Sequence, residues 1–405
     1  MGDLPRVRML EARGHWGIKC GLENPRGLLA RLGHPETSCP VILVAGTNGK
    51  GSTGAFLVNA LRACGLRAGW TTSPHLVSPG ERIWIDGAGL DAVHLDALLG
   101  DAFAAETSLG IQATYFELMI ASAFLAFREA ALDIAVVEVG MGGRWDATNA
   151  SDPMITVLTN VEMDHMQYLG PTREAIAREK LCAARQGRPL VLGPRLDPAW
   201  VWPLLECRPV LHPAPPMEIG TLAWDHSVVE GHRVPLAGAH QVENLATAWE
   251  VLRRLGLPEA RAWEGIGRTA WPGRLWPIPG LPGVTMDGAH NLDGARRLAD
   301  HAVATGIHPH LYFAAMGDKD LAGMRDELAR MGPERVTLVL GQNPRYATAQ
   351  ALRAVWGEAC EVLDIEQAAV RLRAPEATPR LVSGSLYFIG DLLRALGIDP
   401  RLRGE

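Results

Sequence analysis

The sequence predicts an α/β protein of two domains, a larger one on a mostly parallel sheet and a smaller one towards the C-terminus. Three observations carry this expectation. Short runs such as "PVILVAG" (40–46) and "LDIAVVEVG" (132–140) are apolar almost throughout, as strands buried on both faces are. They alternate with stretches of helical spacing, which is the βα rhythm of a parallel sheet. The rhythm stops in "RTAWPGRLWPIPGLPG" (268–283), dense in proline, glycine and tryptophan, and then restarts.

Each element follows from its residues. "PVILVAG" is a strand, and "STGAFLVNALRACG" (52–65) is a helix by apolar spacing, closed by Gly65. "ELMIASAFLAFREA" (117–130) is a second helix, "LDIAVVEVG" and "MITVLTNV" (154–161) are strands, and "RPLVLG" (188–193) returns to the sheet. "TREAIAREKLCAARQG" (172–187) is an amphipathic helix with Thr172 as its cap and Glu174 in its first turn. "MEIGTLAWDHSVVEGHRVPLAG" (217–238) reads as small antiparallel strands, and "HQVENLATAWEVLRRLG" (240–256) as a helix. Beyond the irregular connection, strands in 283–290, 310–316 and 335–341 alternate with helices in 291–306, 321–332 and 348–357, before a last strand, glycine turn and helix in 379–397. The expected boundaries are 1–270 for the larger domain, 271–284 for the junction and 285–405 for the smaller.

Composition narrows the class. The chain has 405 residues, 47% hydrophobic, enough for two ordinary cores. A net charge of -6 argues against a protein held to nucleic acid by phosphate charge. Six scattered cysteines form no CxxC pair, so neither a disulfide scaffold nor a zinc knuckle is indicated. The opening residues read as no signal peptide, and no apolar run reaches spanning length. A cytoplasmic monomer without membrane or nucleic-acid partners is expected.

Three clusters carry chemistry. In "VAGTNGKGST" (44–53) a strand ends in a turn where Gly46, Gly49 and Gly51 let backbone N–H groups face an anion. Lys50 can reach outer phosphates, and Ser52 or Thr53, opening a helix, can ligate magnesium. This is a shortened form of the usual phosphate loop, with a glycine after the lysine. In "EVGMGGRWDATN" (138–149) Glu138 sits where an apolar strand ends, so its carboxylate can face the phosphate site or simply be an edge carboxylate. Asp146 and Asn149 can equally be turn residues. In "TNVEMDHMQYLG" (159–170) Asp164 and His165 follow a strand and can join a metal site or bond locally. Lys180 reads as a solvated helix charge.

Taken in order, these clusters resemble folylpolyglutamate synthase, called dihydrofolate synthase in its dual-function bacterial form, within the ATP-dependent Mur ligase family. The match runs on through "TTSPHLVSPGERIWIDG", "TYFEL", "IAREK", "AGAHQVENLATA", "WPGRL", "DGAHN", "GDKD" and "SGSLYFIG". The resemblance implies a P-loop nucleotide-binding domain followed by a Rossmann-like domain. It implies ATP-dependent ligation of L-glutamate to a folate or dihydropteroate carboxylate through an acyl phosphate. Gly46, Thr47, Asn48, Gly49, Lys50, Gly51, Ser52 and Thr53 would cradle ATP, with Gln241, Asn244, Arg274, Asp287 and His290 also on the nucleotide. Ser73, Pro74, His75 and Arg82 would serve the acceptor. Ser52 and Glu138 would bind a first Mg2+, and His165 with a carbamylated Lys180 a second. Lys50, Glu138, His165 and Lys180 form the catalytic set. Two residues depart from the family: Leu292 replaces a proline, which is expected to loosen a helix start, and Trp145 replaces a leucine. A Mur-type ligase acting on a UDP-muramoyl substrate is the first rival; the phosphate loop by residue 46 leaves little room for a sugar-binding domain ahead of it. A noncatalytic nucleotide switch is the second; it needs the loop without the other motifs.

Overall fold

The computed structural model describes residues 4–14 and 20–401. The chain packs as two compact units, Met1–Pro216 with Glu243–Ile266, and Met217–Val242 with Gly267–Glu405.

The first unit is built on one eight-stranded sheet. Its strands are β1 (Val41–Ala45), β2 (Ala68–Thr71), β3 (Ile83–Ile85), β4 (Ala88–Gly89), β5 (Ile134–Glu138), β6 (Ile155–Leu158), β7 (Pro189–Leu192) and β8 (Val210–Pro213). Their order is β4-β3-β2-β5-β1-β6-β7-β8, with β3 and β4 antiparallel and the others parallel. Every residue of β1 and β5 is buried, which is why both read as continuous apolar runs. β5 and β6 flank β1 on opposite sides, with Val44 beside Glu138 and Ala45 beside Leu158. The carboxyl ends of the three strands therefore lie together at a point where the strand order reverses. Ligands of open α/β sheets bind at such a point.

The helices form where expected, with local reasons. Thr114 and Glu117 make a reciprocal capping box on Tyr115–Glu129. Thr172 caps Arg173–Leu181 by accepting from Ala175 N at 3.2 Å. That helix ends at Leu181, short of the expected glycine at 187. The helix Ala92–Leu109, capped by Asp91, was not legible from spacing.

The second unit has a small antiparallel sheet, β9 (Ile219–Leu222), β10 (Ser227–Val229) and β11 (His232–Val234). Its main sheet comprises β12 (Trp276–Pro277), β13 (Val284–Asp287), β14 (His310–Phe313), β15 (Arg335–Leu340), β16 (Glu361–Asp364) and β17 (Arg380–Ser383). The order is β12-β13-β17-β14-β15-β16, parallel except for β12. Both sheets fulfil the expected α/β architecture. The helix Leu292–Thr305 begins without loosening at Leu292, because Asn291 caps it by accepting from Gly294 N at 2.8 Å. No helix among the described residues is long and apolar enough to cross a membrane.

Two further features differ from the sequence reading. The stretch 268–283 is not wholly irregular, since Trp276 and Pro277 pair with Met286 and Thr285 as an edge strand. Residues 217–242 group with the second unit, whereas the expected larger domain ran unbroken to 270. Side chains explain the grouping: Trp224 stacks on His301 with ring centroids 5.5 Å apart and donates from Nε1 to Thr285 Oγ1 at 3.1 Å. The outermost residues of the expected ranges, 1–3 and 402–405, lie outside the described residues.

Within the first unit, Gly265 on the helix Glu259–Ile266 meets the helix Lys50–Ala63 so closely that a Cβ would sit 2.2 Å from Asn59 O. Replacing a helical glycine by alanine ordinarily gains up to about 1 kcal/mol, but here the obstacle is backbone. Gly265→Ala is therefore expected to destabilise the unit by about 1–3 kcal/mol, as overpacking does. Urea denaturation monitored by circular dichroism checks the sign.

Candidate active site

The turn after β1 is shaped by glycine at two positions. Gly46 has φ 151° and Gly49 φ 82°, the second sitting at the N-cap of the helix Lys50–Ala63. Neighbours also exclude a side chain: a Cβ would lie 1.9 Å from Thr159 Oγ1 at Gly46, and 2.1 Å from Asn244 Oδ1 at Gly49. The loop is further pinned by the segment after β6. Thr47 N donates to Asn160 O at 3.1 Å, Asn48 N to Asn160 Oδ1 at 2.9 Å, and Thr159 Oγ1 to Asn48 O at 2.7 Å. Thr47 Oγ1 and Glu162 exchange two further bonds with the same segment. Thr159 and Asn160 are thus supports that sequence reasoning missed. Their only signal was position, directly after a buried strand.

Two lysines converge on this loop. Lys50 Nζ donates to Gly46 O and Thr47 O, both at 3.1 Å, and Lys180 Nζ donates to Gly46 O at 3.0 Å. Lys180 is only 5% exposed, so it is not the solvated helix charge that composition suggested. Burial and then Lys50 push its pKa down to about 7, against the opposing pull of Asp164 and Asp146. At neutral pH a large fraction of this amine is therefore unprotonated.

Glu138 closes β5 as a buried carboxylate, and Thr72 Oγ1 donates to its Oε2 at 2.5 Å. Asp146 is buried and organises the following loop, accepting from Met141 N at 2.9 Å and from Thr148 N at 3.0 Å. Burial raises its pKa. Asp146 is thus more than a turn cap, while Asn149 anchors locally, donating to Arg144 O at 3.1 Å. His165 stands with φ 51° at the start of the short helix Met166–Leu169 and donates its N–H to Asp164 Oδ1 at 2.9 Å. Trp145, on the loop after β5, is 48% exposed.

The loop after β2 carries Ser73, Pro74, His75 and Arg82, with a cis Ser73–Pro74 bond. Glu81 holds it from inside, accepting from Leu76 N and Val77 N at 2.8 Å and from Ser78 N at 2.6 Å. Glu81 and Arg82 are each only 6% exposed.

In the second unit, Asp287 at the end of β13 accepts from Leu275 N and Ala289 N, both at 2.9 Å. Burial raises its pKa, with Arg274 foremost among the opposing influences. Arg274 Nη1 donates to Gly273 O at 2.8 Å and packs beside Gly288. His290 Nδ1 lies 2.8 Å from Gly288 O. Arg274, Asp287 and His290 therefore gather at one strand end of this unit. Gln241 and Asn244 are buried on the helix Ala239–Arg254, and Asn244 is the one packed against Gly49.

Oxygen donors suited to a hard cation are present. Ser52 Oγ is buried at the first turn of its helix without a hydrogen-bond partner, and Glu138 supplies a carboxylate at the adjacent strand end. Among the described residues no three His, Cys, Asp or Glu side chains form a metal cage. A set this small suits magnesium completed by substrate phosphates and water.

A glycine turn between a buried strand and a helix, with two lysines and a buried carboxylate at the carboxyl ends of the same central strands, defines a nucleotide-dependent ligase of the Mur type. The Mur ligase middle domain matches residues 44–182. The Bacillus subtilis dihydrofolate synthase/folylpolyglutamate synthase is 31% identical, over 96% of this chain and 97% of its own. Escherichia coli FolC in complex with DHPP and ADP superposes with a TM-score of 0.85 and 30% identity, covering 98% of this chain and 99% of that one. A bifunctional enzyme of the same kind with Mn, AMPPNP and L-glutamate bound gives a TM-score of 0.83 and 29% identity, over 97% and 98% of the two chains. The chain belongs to the folylpolyglutamate synthase/dihydrofolate synthase family of ATP-dependent ligases.

Gly49→Ala combines a left-handed backbone, unfavourable by roughly 1–2 kcal/mol for alanine, with a collision at the Asn244 amide. ADP affinity is expected to fall at least tenfold while the thermal midpoint drops only a few degrees. Calorimetric titration and melting together check the split.

Proposed function

We propose that this protein joins L-glutamate to the carboxylate of a folate or of dihydropteroate, using ATP and magnesium. The reading is carried by one observation: the phosphate loop, Lys50, Lys180 and Glu138 gather where β1 and β5 end, while Thr72 ties the acceptor-side loop to Glu138. The relatives' complexes with DHPP and ADP, and with Mn, AMPPNP and L-glutamate, support it.

The chemistry sets the demands. A carboxylate is a poor electrophile, so one of its oxygens must become a leaving group. The acceptor carboxylate attacks the terminal phosphorus of ATP, ADP departs, and an acyl phosphate results. The neutral amine of glutamate then adds to the acyl carbon, and the tetrahedral adduct expels phosphate as the amide forms. Residues Gly46 to Thr53 present N–H groups to the phosphates, and Lys50 stabilises charge on the group in transfer. Ser52 and Glu138 would hold the first magnesium, and His165 with a carbamylated Lys180 the second; the metal neutralises phosphoryl charge when bound. Gln241, Asn244, Arg274, Asp287 and His290 are assigned to the nucleotide. Ser73, Pro74, His75 and Arg82 act on the acceptor side. The larger domain is the ATP-binding one, and the smaller carries glutamate ligation.

The carbamate on Lys180 draws support from burial and company. A buried ammonium beside Lys50 is in the wrong charge state for a metal ligand. An unprotonated amine can add to carbon dioxide, releasing a proton and leaving an anionic oxygen donor. The neutral fraction rises with pH through about 7, so carbamate formation should rise with pH over that range.

A substrate panel tests the reaction. ATP, magnesium and glutamate are offered with dihydropteroate, with tetrahydrofolate or with a UDP-muramoyl peptide, and products are read by mass. Glutamylated pterin products are expected. Lys50→Ala should lower kcat by about 10²–10³ with an unchanged melting curve. Amide formation only on the UDP-muramoyl peptide overturns the reading.

Lys180→Ala should impair turnover far more than loss of an exposed helix lysine, and a short carboxylic acid should partly restore it. Lys180→Arg should fail, because a guanidinium stays protonated. Labelled bicarbonate should give a carbamate carbon resonance in the wild type that Lys180→Ala lacks. Its absence from active enzyme removes the carbamate and leaves the ligase reading intact.

A further inference from the structure

The loop between β2 and β3, placed above on the acceptor side, holds a hydrogen-bonded array whose part in the reaction has not been specified. Its ends are tied by Thr72 N donating to Arg82 O at 3.0 Å, and its interior is filled by the Glu81 carboxylate. Glu81 and Ser78 also form a reciprocal capping box. Inside this frame Arg82 Nε donates to His75 Nδ1 at 2.9 Å. The guanidinium carbon lies 5.0 Å from the centroid of the Tyr115 ring, a cation–π arrangement that fixes its plane. Arg82 is 6% exposed.

This contact has a chemical consequence. A guanidinium has only donors and does not deprotonate in proteins. The atom that accepts from it, His75 Nδ1, must present a lone pair. A neutral imidazole carries one N–H, so that proton is on Nε2. Protonating Nδ1 would break the bond and set an imidazolium against a guanidinium. Charged groups near the pair include Glu81 within the loop and Glu138, which Thr72 ties to the loop's start from β5; Tyr115 lies beneath the guanidinium. Glu81 is engaged by three backbone N–H groups, which hold its carboxylate within the loop.

We propose that Arg82 is a positioning residue that locks His75 as the neutral Nε2–H tautomer, making it a fixed hydrogen-bond donor to the acceptor carboxylate. The proposal rests on the ligase reading above. The lock suits the first step, in which a carboxylate oxygen must attack phosphorus. A neutral donor orients that carboxylate without quenching it as an imidazolium would. With its proton held on Nε2, the ring cannot act as a base from that side.

The test is a tautomer measurement and a pH profile. In 15N-histidine-labelled wild type, long-range 1H–15N spectra should show His75 with a pyridine-like Nδ1 and a protonated Nε2, unchanged between pH 8 and pH 6. Arg82→Met removes the donor and keeps an apolar side chain over Tyr115. The ratio of its kcat/KM for the acceptor to that of the wild type should fall at least fivefold as pH drops through the ordinary imidazole range near 6.5. His75→Gln in the Arg82→Met background, keeping an N–H donor that does not titrate, should abolish that fall. A protonated Nδ1 in the wild type, or a ratio independent of pH, overturns the proposal. Should Arg82→Met not fold, the wild-type spectra decide alone. A wild type that makes no glutamylated pterin product sinks the ligase reading, while the spectra still report the tautomer.

Discussion

One carbonyl oxygen organises the larger unit's chemistry. Gly46 O accepts from both Lys50 Nζ and Lys180 Nζ, which places the two amines at most about 6 Å apart. Two full positive charges at that separation repel by roughly 3 kcal/mol at an effective dielectric of 20. The arrangement is relieved if the more buried lysine gives up its proton, if it takes on a negative group, or if an anion arrives between the two. The fall in the Lys180 pKa is the first of these. A carbamate is the second, and the phosphates of ATP are the third. Much of the surrounding structure keeps this carbonyl in place: the glycine at 46 itself, Thr159 packed against it, and Asn160 holding the next two residues.

The legible parts of the sequence were those with a local cause. β1 and β5 could be read because complete burial removes alternation, and the phosphate turn because glycines interrupt a strand and open a helix. Thr172 could be read as a cap because capping is settled within one turn. Glu81 has an equally local role, with capping-box spacing to Ser78 and three N–H partners within the preceding five residues. Lys180 misled for the opposite reason. Its helix is charged on most sides, and only the approach of the Gly46 turn, 134 residues earlier, converts its end into an interior. The allegiance of residues 217–242 was hidden too, since Trp224, His301 and Thr285 lie far apart in sequence.

The site also separates support from contact. Asp146, Glu81 and Thr159 are buried polar groups bonded to backbone, and the half-buried Asn160 is bonded likewise, so their work is to hold loops. Ser52, by contrast, is buried with an unmatched hydroxyl in a helix turn that faces the phosphate loop. Polar groups of the first kind specify shape and those of the second await a partner, and the division follows from counting hydrogen bonds.

The central position of β1 constrains how the chain reaches its fold. Ile42 pairs on one side with Val136 and on the other with Ile155. Neither partner is local, so the strand that presents the phosphate loop is left without sheet neighbours until more than a third of the chain has been made. Loop closure over such separations is slow, and contacts of this kind set folding rates. A nascent chain halted before β5 would hold an apolar strand with both edges open, the kind of segment that aggregates or recruits a chaperone. The arrangement that brings the phosphate loop together with groups from distant stretches thus also decides when during synthesis this protein is most vulnerable.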